Sequence, residues 1–280
     1  MEITQTIIPL PSKIEINEDK ENKNEAEIII EPCYPGYGVT LGNALRRVLL
    51  SSLPGAAVIA AKLKGASHEF STLPNVKEDI LEIILNLKML RVQFEVSSQE
   101  PIALSLKVSG EKVVKAKDIE TVAGIKIINP DLKIATLTYS KAVLDMKIWV
   151  AQGKGYLTSE EMKINRDFEV GAIVCDAIFT PVIKVGVDIE NVRVGDRTDY
   201  DKLILNIETD GSISPKESLE KAANILIDQF NFVAGKSLSK ELEKAAEEAK
   251  EEEVEEIKEV KEEKEAEKKE KTKRGRPKKD

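Results

Sequence analysis

Histidine, cysteine and aromatic residues are scarce in this chain of 280 residues, which has one His, two Cys and 4% Phe, Trp and Tyr. His68 has no second imidazole to complete a metal set, and Cys33 and Cys175 lie far apart, outside any C-x-x-C cluster. Two isolated cysteines fit a reducing compartment better than a disulfide scaffold. No G-x-S-x-G, H-E-x-x-H or G-x-x-x-x-G-K-[ST] segment occurs, which removes the usual signatures of serine hydrolases, zinc proteases and P-loop enzymes. The G-K-G at 153–155 is too short for a phosphate loop and lies between strand-like runs, so a hairpin turn is expected there. No apolar run approaches the roughly 20 residues of a membrane span. The opening MEITQTIIPLPSKIEI lacks the basic and apolar regions of a secretion signal. The expectation is a soluble cytoplasmic protein without an active site, cofactor, metal site or membrane contact. His68 is read as a structural residue at a strand edge, Glu78 and Asp79 as a helix N-terminus, and Asp199 with Asp201 as turn chemistry.

The chain does contain enough apolar sequence, 41%, for about two folded units at roughly 150 residues each. Its net charge of −8 gives no global pull toward nucleic acid or anionic membrane. The charge is unevenly spread: residues 237–270 carry 8 basic and 15 acidic side chains, and residues 271–280 carry 6 basic and 1 acidic. An acidic arm thus ends in a basic tip.

Along the chain, residues 13–17 and 26–31 read as strands joined across the polar NEDKENKN. The segment PGYGVTLGNALRRVLLSSLP at 35–54 follows. Leu41, Ala44, Leu45, Val48 and Leu49 recur on one helical face, and Arg46 and Arg47 fall off that stripe. Thr40 stands where a capping hydroxyl belongs. Paired arginines on an exposed helix face suit docking, because each guanidinium offers a planar fork of donors; a merely solvated face is the other reading. Strands are expected at 56–63 and 68–71, separated by a Lys-Gly turn, then a helix at 76–90. From 91 to 170 the runs VQFEV, IALSLKV, VVKAK, GIKIIN, ATLTY and LDMKIWVAQ predict a β-rich region with a mixed sheet. VDIENVRV and KLILNIET return as strands joined by GDRTDYD.

The last folded element has the clearest helix signal. Ser214 is the expected N-cap, Pro215 the first helical residue, Glu217 closes a capping box and Gly235 ends the helix. Its stripe of Leu219, Ala222, Ala223, Leu226, Ile227, Phe230 and Val233 is wider than one small sheet needs, which points to a second copy across a two-fold axis. A roof over its own sheet is the alternative. Residues 237–270 are a Glu/Lys/Ala spacer, helical or disordered. In KTKRGRPKKD, the segment Arg274-Gly275-Arg276-Pro277 with Lys278 has the form of an AT-hook. Arginines fit the narrow, electronegative A·T minor groove, and Gly275 permits close approach to its floor. A generic basic tail is the competing reading.

Several segments together resemble the bacterial RNA polymerase alpha subunit over about residues 5–234. LGNALRRVLLSS at 41–52, HEFST at 68–72, KEDILEIILNLK at 77–88, RTDYDKL at 197–203 and ETDGSISPKESLEKAANIL occur in the family's order. The resemblance implies an α+β fold. Residues 1–54 and 180–236 would form a dimerisation domain, 55–179 a β-rich insert, 237–270 the spacer and 271–280 the tip. It also implies a non-catalytic subunit of DNA-directed RNA polymerase, a nucleotidyltransferase. Its homodimer would recruit the beta and beta-prime subunits for transcription. By motif match, Asn43, Arg46 and Arg47 would meet beta, and Lys88 with an Arg197-Thr198-Asp199 turn would serve other large-subunit surfaces. Leu45 and Leu49, with Leu226, Ile227 and Phe230, would form the dimer contact. Family members usually continue into a small helical domain that binds A·T-rich promoter DNA and activators. Here the arm and tip stand after Gly235, and a nucleoid-associated, A·T-directed DNA contact through the tip is expected. The alternative is a free-standing nucleoid-type DNA-binding dimer.

Overall fold

Alternating apolar residues bring the first two strands together as a hairpin, β1 (Lys13–Glu18) with β2 (Glu25–Cys33), paired antiparallel from Lys13↔Glu31 to Glu18↔Ala26. The structure, a computed structural model, describes residues 8–18, 22–66, 68–95, 98, 100–165 and 168–235. Helix α1 (Tyr37–Ser51) follows, then β3 (Pro54–Leu63), α2 (Ile80–Lys88) and β4 (Val92–Phe94). Next come β5 (Ile102–Ser109), β6 (Lys112–Lys115), β7 (Ile125–Ile127), β8 (Lys133–Leu137) and β9 (Val143–Lys154). The chain continues through β10 (Tyr156–Leu157), α3 (Ser159–Asn165), β11 (Ile173–Val174) and β12 (Ala177–Ile178). The last described elements are β13 (Val182–Val194), β14 (Arg197–Thr209) and α4 (Pro215–Val233). The fold is α+β, and among the described residues no helix is long and apolar enough to cross a membrane.

The chain divides into two units, Met1–Leu226 and Ile227–Asp280. In the first, one sheet has the order β1-β2-β14-β13 and a second the order β11-β3-β9-β5, with β10-β12, β4-β7 and β6-β8 as two-stranded pairs. Leu45, Leu49 and Leu53 fill a core with Ile28, Ile30, Val182, Val185, Leu203, Leu205 and Ile207 of the first sheet and Ala222 of α4. A larger core gathers α2 (Ile80, Ile83, Ile84, Leu87) onto Leu104, Leu106, Ile134, Leu144, Met146, Ile148 and Val150. A small third core joins Ala57, Ile59, Ala151, Met162, Ala177 and Phe179. The chain leaves the first core after Leu53 and returns at Val182. At that crossing Gly55 lies so close to Phe179 that a Cβ would sit 1.8 Å from its carbonyl oxygen.

Several expectations from the sequence need correction. Among the described residues every strand pairing is antiparallel, not mixed, and no helical crossover joins parallel neighbours. Residues 68–71 form a turn, in which Ser71 N–H donates to the His68 carbonyl, so exposed His68 is on no strand. Helix α2 starts at Ile80 rather than 76: Val76 bridges Leu137, Lys77 N–H donates to Thr136 O, and Asp79 caps Glu82 N–H at 2.7 Å. The G-K-G is no hairpin turn, because Gly153 and Lys154 still pair with Gly55 and Pro54, and only Gly155 (φ 64°) bends the chain. Helix α3 was not expected, although Thr158 and Glu161 form a reciprocal capping box that the T-x-x-E spacing announces.

The second unit's described residues continue α4 through Val233 to Gly235, which takes φ 68° as a helix-ending glycine. Ile227, Phe230, Phe232 and Val233 are 54%, 63%, 74% and 80% exposed.

Candidate functional site

Helix α1 lies flat on β13 and β14 because Gly42 permits it. A Cβ there would meet Val187 Cγ1 at 2.7 Å and Leu203 Cδ1 at 2.9 Å. Its N-terminus is held from outside the helix. Asp201 Oδ2 accepts the N–H groups of Gly36 and Gly38, each at 2.9 Å, satisfying two donors that have no intrahelical partner. Thr40 is therefore not the cap; it sits in the first turn and its hydroxyl donates to Gly36 O at 3.2 Å. Asp201 is likewise buried capping chemistry rather than turn chemistry. With the apolar face turned inward, Asn43, Arg46 and Arg47 are all exposed, and their side chains have no hydrogen-bond or ion-pair partner among the described residues. The result is two guanidiniums with their donors free, presented on a rigid helix.

Leu45 and Leu49 correct a second expectation. They are 7% and 0% exposed inside the chain's own core, so they support α1 from beneath and offer a second chain almost no surface. Leu226 is half-buried, while Ile227 and Phe230 stand in the open.

Arg197, Thr198 and Asp199 are not a turn. They open β14, and the turn is the pair Gly195-Asp196, with Gly195 at φ 62°. Arg197 Nε and Nη2 donate to the two oxygens of Asp199 at 3.0 and 2.6 Å, which holds the Asp199 carboxyl below the usual range. The Arg197 guanidinium also lies over the rings of Tyr200 (5.3 Å) and Tyr34 (6.0 Å). Tyr34 and Tyr200 lie within C-Y-P-G and R-T-D-Y-D, two segments too far apart in the sequence for their spacing to announce the pair.

Lys88 belongs to the larger core's surface, in the last turn of α2, where a cation also favours the helix dipole. It pairs with Asp176 Oδ2 at 3.8 Å. The Asp176 carboxyl is held below its ordinary range by the backbone N–H of Ser159 at 2.9 Å. Partial burial opposes this, and the Tyr156 hydroxyl and Lys88 add to it. The structure thus joins α1 to the start of β14 through Asp201, and places Lys88 on a different core. Arg274, Gly275, Arg276, Pro277 and Lys278 lie outside the described residues.

The Cys175 thiol donates to Val58 O at 3.6 Å and burial pushes its pKa up to about 11; burial, then the charge of Asp201, raises the Cys33 thiol too. No group of three His, Cys, Asp or Glu side chains that could hold a metal occurs among the described residues.

Exposed arginines thus stand on one helix and open apolar side chains on another. Residues 59–180 match the family model described as the RNA polymerase Rpb3/RpoA insert domain. The chain is 46% identical to a DNA-directed RNA polymerase subunit alpha of Oceanobacillus iheyensis over 233 residues, 83% of this chain and 72% of that one. It is 46% identical to the subunit alpha of Alkaliphilus oremlandii, over 78% of this chain and 68% of the relative. With that of Desulfitobacterium hafniense the identity is 47%, over 80% and 70%. The chain belongs to the DNA-directed RNA polymerase alpha subunit family. It is therefore part of the transcription machinery, in a complex that carries nucleotidyltransferase activity.

Proposed function

We propose that this chain is the non-catalytic assembly subunit of its polymerase, a homodimer on which the beta and beta-prime subunits gather. The observation that carries this reading is the open end of α4, where Ile227, Phe230 and Val233 expose large apolar side chains that an isolated chain gains nothing by displaying. Two copies meet there, with Leu226 at the margin. Asn43, Arg46 and Arg47 receive beta, and Lys88 and Arg197–Asp199 contribute further large-subunit surface. The chain supplies no cofactor and no phosphoryl chemistry, and it works in the cytoplasm at the nucleoid.

Two substitutions in the full chain test this. Phe230→Asp is expected to yield monomer by analytical ultracentrifugation, because a charge replaces a ring at a desolvated contact. Arg47→Glu is expected to remain dimeric and to lose co-purification with beta. A dimer that survives the first change, or beta binding that survives the second, refutes the corresponding contact.

A second reading concerns KTKRGRPKKD, whose R-G-R-P favours A·T minor-groove contact at the end of the charged spacer. The full chain is compared with one ending at Lys236 on A·T-rich and G·C-rich duplexes across salt concentrations. An A·T preference lost with the tail and with Arg276→Ala supports the hook. Equal, steeply salt-dependent binding to both duplexes means a nonspecific basic tip. DNA binding without large-subunit association would instead describe a free-standing nucleoid-type dimer.

A further inference from the structure

We infer that Tyr34, backed by Tyr200, is a positioning residue that holds Arg197 ready for carbonyl oxygens on a large subunit; this rests on the reading of Arg197–Asp199 as large-subunit surface.

An arginine that is 51% exposed at the start of an edge hairpin would ordinarily sample many rotamers. This one is restrained on three sides. Asp199 grips the Nε and Nη2 edge. Tyr200, buried to 8% exposure, fixes one ring beneath the guanidinium. Tyr34 supplies a second ring from the segment between β2 and α1, and its own plane is set edge-on to Tyr200 (6.1 Å, 81°) and Tyr37 (6.0 Å, 80°). Tyr37 N–H donates to Tyr34 O at 2.9 Å, and Asp201, next to Tyr200, clamps Gly36 and Gly38. The stack therefore spans two segments that are far apart in sequence and are welded together at this spot.

Among the described residues the Nη1 edge of the guanidinium has its donors unused, while Asp199 neutralises its charge. A neutralised fork with free donors suits backbone or amide carbonyls better than a carboxylate. Restraining it beforehand removes part of the rotamer cost that a docking arginine otherwise meets. Nothing in the packing of the first core requires Arg197, which lies beyond the last β2 partner on β14, Asp201↔Cys33.

The test titrates the full-length chain against purified beta and beta-prime subunits separately. Arg197→Ala is expected to weaken one of the two associations about tenfold. Tyr34→Leu should weaken the same association about three- to fivefold, and Tyr34→Phe, which keeps the ring, should restore it. In the Arg197→Ala background, Tyr34→Leu should add nothing. Arg197→Lys, which keeps the charge but cannot stack or grip Asp199 in two contacts, should bind as poorly as Arg197→Ala. If Arg197→Ala leaves both affinities unchanged, the large-subunit reading of this strand fails and the inference falls with it. If Arg197→Ala weakens binding while Tyr34→Leu is silent or additive, or while Arg197→Lys binds normally, the surface reading stands and the positioning role is wrong.

Discussion

Glu78 is buried at 3% exposure yet charged, and its partners explain how. It accepts the Thr136 N–H at 2.6 Å, the Thr136 hydroxyl at 2.9 Å and the Lys133 ammonium at 2.7 Å. Burial alone would raise its pKa, but the bonds from Lys133 and Thr136 outweigh it and hold the carboxyl below the usual range. A depressed folded pKa contributes stability above the unfolded value and loses it as pH falls through the folded value. Glu78→Ala is therefore expected to cost about 2–3 kcal/mol at pH 7, leaving the Thr136 N–H without its acceptor. Urea titrations from pH 7 to 3 should show the gap between variant and parent closing below the ordinary carboxylate range. A gap constant with pH would mean that Glu78 acts by packing alone. The sequence placed Glu78 on a helix N-terminus beside Asp79, because adjacent acids before an apolar periodic run usually cap. Only the strand-like path of residues 76–78 along β8 separates their roles, and that path is set by Thr136, far along the chain.

Among the elements, α1 depends on a cap it does not carry. Asp201→Ala should destabilise the protein by about 1–2 kcal/mol and speed amide exchange in the first turn of α1, whereas Asp201→Asn, which keeps an oxygen, should lose less. Gly38→Ala should behave as badly as Asp201→Ala, since its Cβ would meet Asp201 Cβ at 2.8 Å. Unchanged exchange at Gly38 in Asp201→Ala would place the stabilising contact elsewhere. Helix α4, by contrast, carries its own signals. Glu217 N–H donates to Ser214 Oγ and Ser214 N–H to a Glu217 oxygen, as the S-x-x-E spacing requires. This difference explains what was legible in the sequence. Periodicity located α1, α4 and the exposed arginines, and local capping chemistry bounded α4. The cap of α1 and the burial of Leu45 and Leu49 depend on partners distant in sequence, whereas the strand character of Arg197–Asp199 rests on the tight hairpin that pairs Arg197 with Val194. Periodicity also cannot tell an apolar stripe that faces its own sheet from one that faces a second chain.

At the scale of the molecule, the Gly55–Phe179 crossing is the closest approach made by any glycine among the described residues. Backbone stands on both sides, so Gly55→Ala cannot be absorbed by rotating a side chain, and a loss of roughly 3 kcal/mol with a Tm lower by about 5–10 °C is expected by calorimetry. A parental Tm would mean that the two passing segments separate there without cost. The same layout has a consequence for synthesis. Strand β2 pairs on its inner side with β14, Cys33 opposite Asp201, and the segment from β3 to β12 that comes between them fills cores of its own. On a ribosome, the first sheet can close only after β14 has emerged, which at ordinary elongation rates leaves a gap of roughly 10–30 s. Throughout that interval the apolar sides of β2 and α1 are complete but homeless. The part of the chain made first is finished last, and the nascent polypeptide must be kept from aggregating until its own later segment arrives.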